Sequence, residues 1–213
     1  MPNESLIVTI ADHVAVVTLN RPKKLNAIDN GLHREMMRAC HELNADDDVR
    51  AVIWTGAGRG FCSGVDLSST DRPSQESEGR QHRIDELGWV GRQAITIAKS
   101  LEKPTIAAVN GVAAGAGMSL ALACDLRVGC ENSRFKTVFI ERSLSPDSGL
   151  SYFLPRVVGL SRAFDFLSTS RMVNSDEAYR VGLLDRLVAA DDLLSAANEL
   201  ASEIAFWPPV AML

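Results

Sequence analysis

Residues 56–67 read GAGRGFCSGVDL, and the rest of the chain is organised around this segment. A second glycine-rich segment, residues 110–119, reads NGVAAGAGMS. Each follows a short apolar run typical of a buried strand, at residues 51–55 and 105–109. Glycine at this density costs chain entropy and adds no packing, so it indicates backbone that turns tightly or approaches another group closely. We therefore expect main-chain N–H groups of the two turns to converge on one ligand atom.

The composition predicts a single domain with a sizeable core. The chain has 213 residues, of which 46% are hydrophobic, and a net charge of -5, which argues against a nucleic-acid surface. Its four cysteines form no CxxC pair, which favours buried free thiols over zinc or disulfides. The N-terminus has no basic region followed by an apolar run, and no apolar run approaches about 18 residues. These features predict a soluble cytoplasmic protein that does not bind membranes.

The order of elements predicts a parallel sheet with helical crossovers. A hairpin is expected at 5–10 and 14–20, and a helix with one apolar face is expected to begin at Asp29 or Asn30. Polar residues 68–79 predict a surface loop beside the first glycine turn, in the position of a lid. The remaining expected elements are a helix at 82–101, a strand at 105–109, a buried helix at 118–124, a strand at 125–130, helices at 149–157, 161–167 and 175–181, a strand at 183–188 and a helix at 191–206.

Two other functions of the glycine turns are disfavoured by their spacing. A dinucleotide site requires G-x-G-x-x-G, whereas the first turn has Gly56-x-Gly58-x-Gly60, and no Gly-Lys-Ser/Thr follows either turn as in a P-loop. A nucleophile would be Ser63 or Cys62, but Phe61 stands where G-x-S-x-G needs its first glycine. Tight turns with a purely structural role remain an alternative.

The remaining chemical interpretation is an oxyanion hole. Two backbone N–H groups from separate turns, one at a helix N-terminus, stabilise a thioester enolate oxygen without a metal or a nucleophile. Such a site needs an acid or base near the reacting carbons. The candidates are Asp147, which follows Pro146 just before a predicted helix, and Glu141, which neighbours Arg142. The alternatives are an N-cap or Asx-turn role for Asp147 and a surface or subunit-contact ion pair for Glu141.

Four segments together resemble the crotonase superfamily, that is, the enoyl-CoA hydratase/isomerase family. Residues 20–27 (NRPKKLNA) are similar to N-R-P-x-x-x-N-A, and residues 60–67 to F-x-x-G-x-D-L. Residues 103–117 are similar to K-P-x-I-A-A-V-N-G-x-x-x-G-x-G, and residues 124–127 to C-D-x-R. The resemblance runs in order from about Val14 to the C-terminus.

The resemblance implies an α/β fold with a ββα-spiral core, at residues 1–190, and the start of a C-terminal helical oligomerisation region, at residues 191–213. Because the chain ends shortly after a Pro-Pro step, we expect the native C-terminus to lie beyond Leu213. The resemblance further implies acyl-CoA substrates, no cofactor besides the coenzyme A of the substrate, and homotrimers that often pair into hexamers. Position by position, it places the enolate-binding N–H groups on Ser63 and Ala116. It assigns the coenzyme A path to Lys24, Leu25, Ala27, Gly64, Val65, Asp66 and Leu67, with Lys23 or Lys24 at the phosphates.

The chain departs from the family pattern where hydratases carry two catalytic glutamates. Those positions are Ser119 and Phe139 here, and neither side chain performs that proton transfer. Asp147 matches the working aspartate of several isomerases and aryl-CoA dehalogenases of the family, whereas Phe139 and Thr96 replace the tryptophan and histidine of the dehalogenases. We therefore expect an isomerase with Asp147 as acid and base. The alternatives are a hydratase with water activated by Asp147 or Glu141, and a non-catalytic acyl-CoA binder.

Overall fold

The computed structural model describes residues 5–68, 94, 97 and 101–208. The predicted loop at 68–79 lies outside these residues after Ser68, and so does most of the predicted helix at 82–101. Within that helix, Ala94 and Ile97 are helical and buried.

A six-stranded sheet forms the centre of the molecule, in the order β1-β2-β3-β5-β7-β10. The hairpin β1–β2 is antiparallel, and every other neighbouring pair is parallel, as the alternation of strands and helices predicts. The strands are β1 Leu6–Ala11, β2 Val14–Leu19, β3 Ala51–Gly56, β4 Gly60–Cys62, β5 Thr105–Val109, β6 Val112–Ala114, β7 Leu126–Cys130, β8 Arg134–Lys136, β9 Val173–Asn174 and β10 Arg186–Val188.

Helices cover this sheet and connect its strands. The helices whose bounds lie within the described residues are α1 Asn30–Ala45, α2 Ala116–Ala123, α3 Leu150–Val158, α4 Leu160–Thr169, α5 Ser175–Arg180 and α6 Leu193–Ala205, and short 3₁₀ helices occur at Pro22–Lys24, Ile140–Arg142 and Ala190–Asp192. None of the helices in the described residues combines the length and apolar composition needed to span a membrane.

Both faces of the sheet are buried, because its central strands are apolar on both sides. In β3, Val52 and Trp54 face one hydrophobic cluster, and Ala51 and Ile53 face the other. The first cluster includes one face of α1, and α6 packs against β3, β5 and β7 in the second. The division between a core at 1–190 and a helical region from 191 remains a prediction.

Helix α1 begins as predicted, with the Asp29 carboxylate accepting from the Leu32 N–H at 2.8 Å. Its expected apolar face, Leu32, Met36, Cys40 and Leu43, is buried. His33, on the same helix, is also buried, with only 7% of its surface exposed. The buried stripe of α1 is therefore wider than the apolar pattern indicates.

A second, four-stranded sheet runs through the glycine turns, in the order β4-β6-β8-β9. Strand β4 lies in the first turn and β6 in the second, and the two pair in parallel. Sequence patterns did not predict these three-residue strands. Their pairing joins the two glycine-rich segments directly.

Candidate functional site

Asn26 shapes the first glycine turn from inside. Its side chain is fully buried, and Nδ2 lies within hydrogen-bond distance of the carbonyl oxygens of Gly60 (2.7 Å), Ala57 (3.0 Å) and Phe61 (3.1 Å). Its Oδ1 accepts from the Arg21 N–H at 2.9 Å. Asn26 has a left-handed backbone, with φ 57°, which asparagine adopts more readily than most residues. The asparagine of the N-R-P-x-x-x-N-A segment therefore has a structural role.

Replacing Asn26 with alanine is expected to destabilise the fold by about 3 kcal/mol, because buried carbonyls of the first turn lose their donor. The measurement is the urea midpoint of unfolding. Asn44→Ala is the control, since Asn44 accepts one exposed hydrogen bond, from the Glu102 N–H. Equal midpoint shifts for the two variants would contradict this role for Asn26.

Arg21 ties the same segment to the end of the first turn. Its guanidinium bonds the Asp66 carboxylate at 2.9 Å and the Asp29 carboxylate at 2.8 Å, and it also donates to the Ala27 carbonyl. The Ser68 hydroxyl, and then Arg21, hold the pKa of Asp66 below its ordinary value against the opposing effect of burial. Asp66 is thus a charged anchor of the turn.

Asn110 bonds the first turn from the second. Its amide nitrogen donates to the Gly58 carbonyl at 2.9 Å, and its Oδ1 accepts from the Gly56 N–H at 3.2 Å. Two glycines then allow close backbone contact: a Cβ on Gly111 would overlap the Arg59 carbonyl, and one on Gly117 would overlap the Cys62 carbonyl. The expectation that glycine marks close backbone approach is confirmed at these positions.

The two turns meet at Gly64 and Ala116. A Cβ on Gly64 would lie 2.9 Å from the Ala114 carbonyl oxygen and 3.5 Å from the Ala116 nitrogen. Gly64 also has φ 97°, a conformation that favours glycine. The end of the first turn therefore lies directly against the start of α2.

Ala116 offers an N–H group at the N-terminus of α2. It is the first residue of that helix, and the first bond back to the N-cap is donated by Ser119, to the Gly115 carbonyl at 3.0 Å. The leading N–H groups of a helix have no intrahelical acceptor, and the helix dipole makes this end positive. Ala116 therefore has an N–H at a helix N-terminus, as the predicted oxyanion donor requires, and its role remains a prediction.

Ser63 is not placed as a donor, which corrects the expectation from the sequence. Its N–H group donates to the Leu25 carbonyl oxygen at 3.0 Å. Val65 forms an isolated parallel bridge with Ile28, in which Ile28 bonds to Gly64 and Asp66. Ile28 thus bonds the Gly64 carbonyl and the Asp66 N–H on either side of Val65, so the Val65 N–H points away from Ile28. It has no hydrogen-bond acceptor among the described residues.

Neither nucleophile candidate in the first turn is favoured by its surroundings. The Cys62 thiol is buried and donates to the Asn26 carbonyl at 3.2 Å. Burial raises its pKa to about 12, so the thiol stays protonated near neutral pH. The Ser63 hydroxyl donates to the Lys24 carbonyl at 3.3 Å.

The residues expected to line the coenzyme A path lie side by side. Residues 24–28 run along residues 63–68, because Ile28 N–H donates to the Gly64 carbonyl and Asp66 N–H to the Ile28 carbonyl, each at 2.8 Å. At one end the exposed Lys24 ammonium bonds the Ser68 hydroxyl at 2.7 Å. Leu67 is 56% exposed, whereas Ala27 is buried. Their role in binding coenzyme A remains a prediction.

Asp147 lies just before α3, which packs against α2. The N-cap of α3 is Gly149, and no side chain of the described residues caps this helix. The Asp147 carboxylate instead accepts from the Ser148 hydroxyl at 2.7 Å. Burial raises the pKa of Asp147 above its ordinary value, and the Ser148 bond partly opposes that rise. The side-chain N-cap alternative is therefore wrong, and the carboxylate has the environment of a strengthened base.

Glu141 has a different environment. It is exposed and forms an ion pair with Lys136 at 2.7 Å, which confirms the surface ion-pair alternative for Glu141. The hydrogen bond from Lys136 lowers the pKa of Glu141. Ser119 and Phe139, at the positions of the two family glutamates, are both buried. Asp147 is thus the candidate carboxylate with the stronger basicity.

Known proteins are similar to this chain over most of its length. The family model described as enoyl-CoA hydratase/isomerase matches residues 9–212. The short-chain-enoyl-CoA hydratase of Clostridium acetobutylicum is 38% identical over 200 residues, which cover 93% of this chain and 74% of that protein.

Two solved structures show the same fold. An enoyl-CoA hydratase from Bacillus anthracis aligns with a TM-score of 0.88 at 30% identity, over 98% of this chain and 79% of that one. A monofunctional enoyl CoA isomerase from M. smegmatis aligns with a TM-score of 0.81 at 36% identity, over 98% of this chain and 88% of that one. The crotonase fold expected from the sequence is confirmed, and the chain belongs to the enoyl-CoA hydratase/isomerase family.

Proposed function

We propose that this enzyme isomerises an enoyl-CoA thioester through an enolate. The enolate oxygen accepts from the Val65 and Ala116 N–H groups, and Asp147 moves the proton between carbons. The observation that carries the proposal is the contact between the two turns, where Gly64 lies against the Ala116 nitrogen. A helix N-terminus and a second main-chain donor at one point are suited to a developing oxyanion.

The reaction needs one carboxylate and no cofactor beyond the coenzyme A of the substrate. The Asp147 carboxylate removes a proton from carbon 2 of a 3-enoyl thioester, and the electron pair of that C–H bond moves into the thioester, placing negative charge on its oxygen. The carboxylic acid then returns the proton to carbon 4, and the double bond becomes 2,3. Because burial raises the pKa of Asp147, the carboxylate is a better base than an exposed aspartate.

Hydration is the second candidate, supported by the relative in Clostridium acetobutylicum, which is named as a hydratase. In this chain Asp147 would have to activate the water, because Ser119 and Phe139 have no ionisable group and Glu141 is held by Lys136. A single carboxylate with a raised pKa can transfer a proton between two carbons of one substrate. Hydration is less well suited to it, because in this family two carboxylates together activate the water and protonate the substrate.

Product analysis distinguishes these reactions. The purified enzyme is incubated with a 3-enoyl-CoA and, separately, with crotonyl-CoA, and products are identified by NMR. Isomerisation predicts a 2-enoyl-CoA from the first substrate. A 3-hydroxyacyl-CoA from crotonyl-CoA, without isomerisation of the first, would establish the hydratase. Tight binding of both thioesters without turnover would establish the non-catalytic binder and overturn the proposal.

The hydrogen bond from Ser148 lowers the pH at which the acidic limb of the activity profile lies, because it partly opposes the effect of burial on the pKa of Asp147. It stabilises the charged Asp147, so its removal in Ser148→Ala is expected to raise the pKa of Asp147 further. The base must be ionised, so the acidic limb of kcat against pH should move to higher pH. A limb that stays in place or moves to lower pH would contradict the assignment of Asp147 as the base.

We also propose that Lys24, Leu25, Ala27 and residues 64–67 bind the coenzyme A portion, with the exposed Lys24 ammonium near its phosphates. Large apolar side chains on α4 are exposed, Leu160 to 78% and Phe164 to 70%, which supports a subunit interface on this helix. The homotrimer or pair of trimers that the family resemblance implies is our proposal for the assembly. The four free, buried cysteines support a reducing compartment such as the cytoplasm. Sedimentation velocity measures the assembly.

A further inference from the structure

One peptide unit carries both the proposed enolate donor and a carbonyl that Ser119 holds. The Ala116 N–H and the Gly115 carbonyl belong to the same planar group, so rotation of one moves the other. The Ser119 N–H donates to the Gly115 oxygen at 3.0 Å, as in an ordinary helical turn. The Ser119 hydroxyl donates to the same oxygen at 3.3 Å.

Ser119 is an unusual residue for this helix. It has the only polar side chain in α2, whose sequence is AGMSLALA, and it is fully buried. A hydroxyl that bonds back to the carbonyl four residues earlier slightly destabilises a helix, and alanine is the better helix former. The hydrogen bond from the Ser119 hydroxyl therefore adds little to the stability of the helix. It acts instead on the orientation of the Gly115–Ala116 peptide unit.

The orientation of the Gly115–Ala116 peptide unit needs to be held, because it determines where the Ala116 N–H points. Gly115 has φ 52° and ψ −122°, and glycine leaves the adjoining peptide freer to rotate than any other residue does. Two hydrogen bonds on its carbonyl hold the plane, and they also polarise the amide, because hydrogen bonds in a chain strengthen one another. The N–H on the opposite side of the same group becomes both better aimed and a stronger donor.

We propose that Ser119 is a positioning residue of the enolate site, acting through the Gly115 carbonyl on the Ala116 N–H. The inference rests on the proposed function, and it assigns a role to the residue that replaces the first glutamate of the hydratases. Ser119 transfers no proton in this role. It sets the direction and strength of the donor that stabilises the enolate.

The test is the infrared carbonyl band of butyryl-CoA labelled with ¹³C at the thioester carbon, since this ligand has no double bond to move. Binding is measured in parallel by calorimetry on the wild type and on Ser119→Ala and Ser119→Cys. The thiol of Ser119→Cys fills nearly the same volume but is a weaker donor. Ser168→Ala is the matched control, because the Ser168 hydroxyl donates to the Phe164 carbonyl one turn earlier, at 2.7 Å, on α4.

In the wild type and in Ser168→Ala, the bound carbonyl band is expected at lower frequency than for the free ligand. In Ser119→Ala part of that shift is lost, with Ser119→Cys intermediate, and kcat falls about tenfold while KM changes less than about twofold. A Ser119→Ala shift equal to the wild type would overturn this inference and leave the proposed function intact. Butyryl-CoA that binds the wild type without any shift would overturn the proposed function itself.

Discussion

Replacing Asp147 with asparagine is expected to lower kcat for isomerisation by about 10³- to 10⁴-fold. The amide has nearly the shape of the carboxylic acid, but it cannot remove a proton from carbon. Butyryl-CoA binding should change little, because the donors that hold the thioester are main-chain groups of other segments. Steady-state kinetics and calorimetry measure the two effects separately.

Glu141→Gln is the matched control for this variant. It makes the same change from carboxylate to amide, but on an exposed side chain that pairs with Lys136. Its kcat should stay within about twofold of the wild type, since exposed ion pairs contribute little. A large loss in Glu141→Gln together with a small loss in Asp147→Asn would transfer the acid–base role to Glu141.

Replacing Ala116 with proline removes the second proposed donor and is expected to lower kcat by about 10²- to 10³-fold. Ala116 is the first residue of α2, a position where proline is well tolerated because its N–H has no intrahelical partner. The variant should therefore fold, and circular dichroism and thermal unfolding check that it does. In its complex with labelled butyryl-CoA, the carbonyl band should lie between that of the wild type and that of the free ligand, because the Val65 N–H remains as a donor.

The matched control is Leu160→Pro, the same substitution at the first residue of α4. Leu160 is 78% exposed, and α4 carries no residue of the candidate site. Because Leu160 also lies on the surface proposed for assembly, sedimentation velocity checks that the control assembles like the wild type, and the control should then keep wild-type kinetics. A folded Ala116→Pro enzyme with wild-type kcat would remove the Ala116 N–H from the mechanism.

The large elements of the fold could be predicted because each has a periodic signal. The apolar face of α1 and the uninterrupted apolar run of β3 are examples, and both lie where the pattern places them. Strands β4 and β6 have no such signal, because a strand of three residues is too short to show a period. They exist through pairing with each other and with β8, between segments far apart in sequence.

The candidate site was predictable to the level of segments but not of individual N–H groups. The motifs located both turns, yet Ser63 N–H donates to Leu25, a partner that only the fold brings near. The side-chain environment of Asp147 could not be predicted from the sequence either, since an aspartate after a proline and before a helix is also typical of a helix cap. The fold instead gives the N-cap to Gly149 and buries the carboxylate in part.

The family resemblance supports the type of intermediate that we propose, and the departures from the family pattern support isomerisation over hydration. The contact between Gly64 and Ala116 is suited to an enolate. At the two glutamate positions, Ser119 bonds a main-chain carbonyl and Phe139 is a buried apolar ring. Asp147 is therefore the proposed base, because burial raises its pKa. The proposed double-bond shift needs only one such carboxylate.

The most direct test of an enolate formed by Asp147 is deuterium exchange. Butyryl-CoA is incubated in D₂O with the wild type, Asp147→Asn or Glu141→Gln, and deuterium at carbon 2 is followed by NMR. The proposed mechanism predicts rapid exchange with the wild type and Glu141→Gln, and exchange at least about 10³-fold slower with Asp147→Asn. Exchange at the wild-type rate in Asp147→Asn, or none with the wild type, would contradict it.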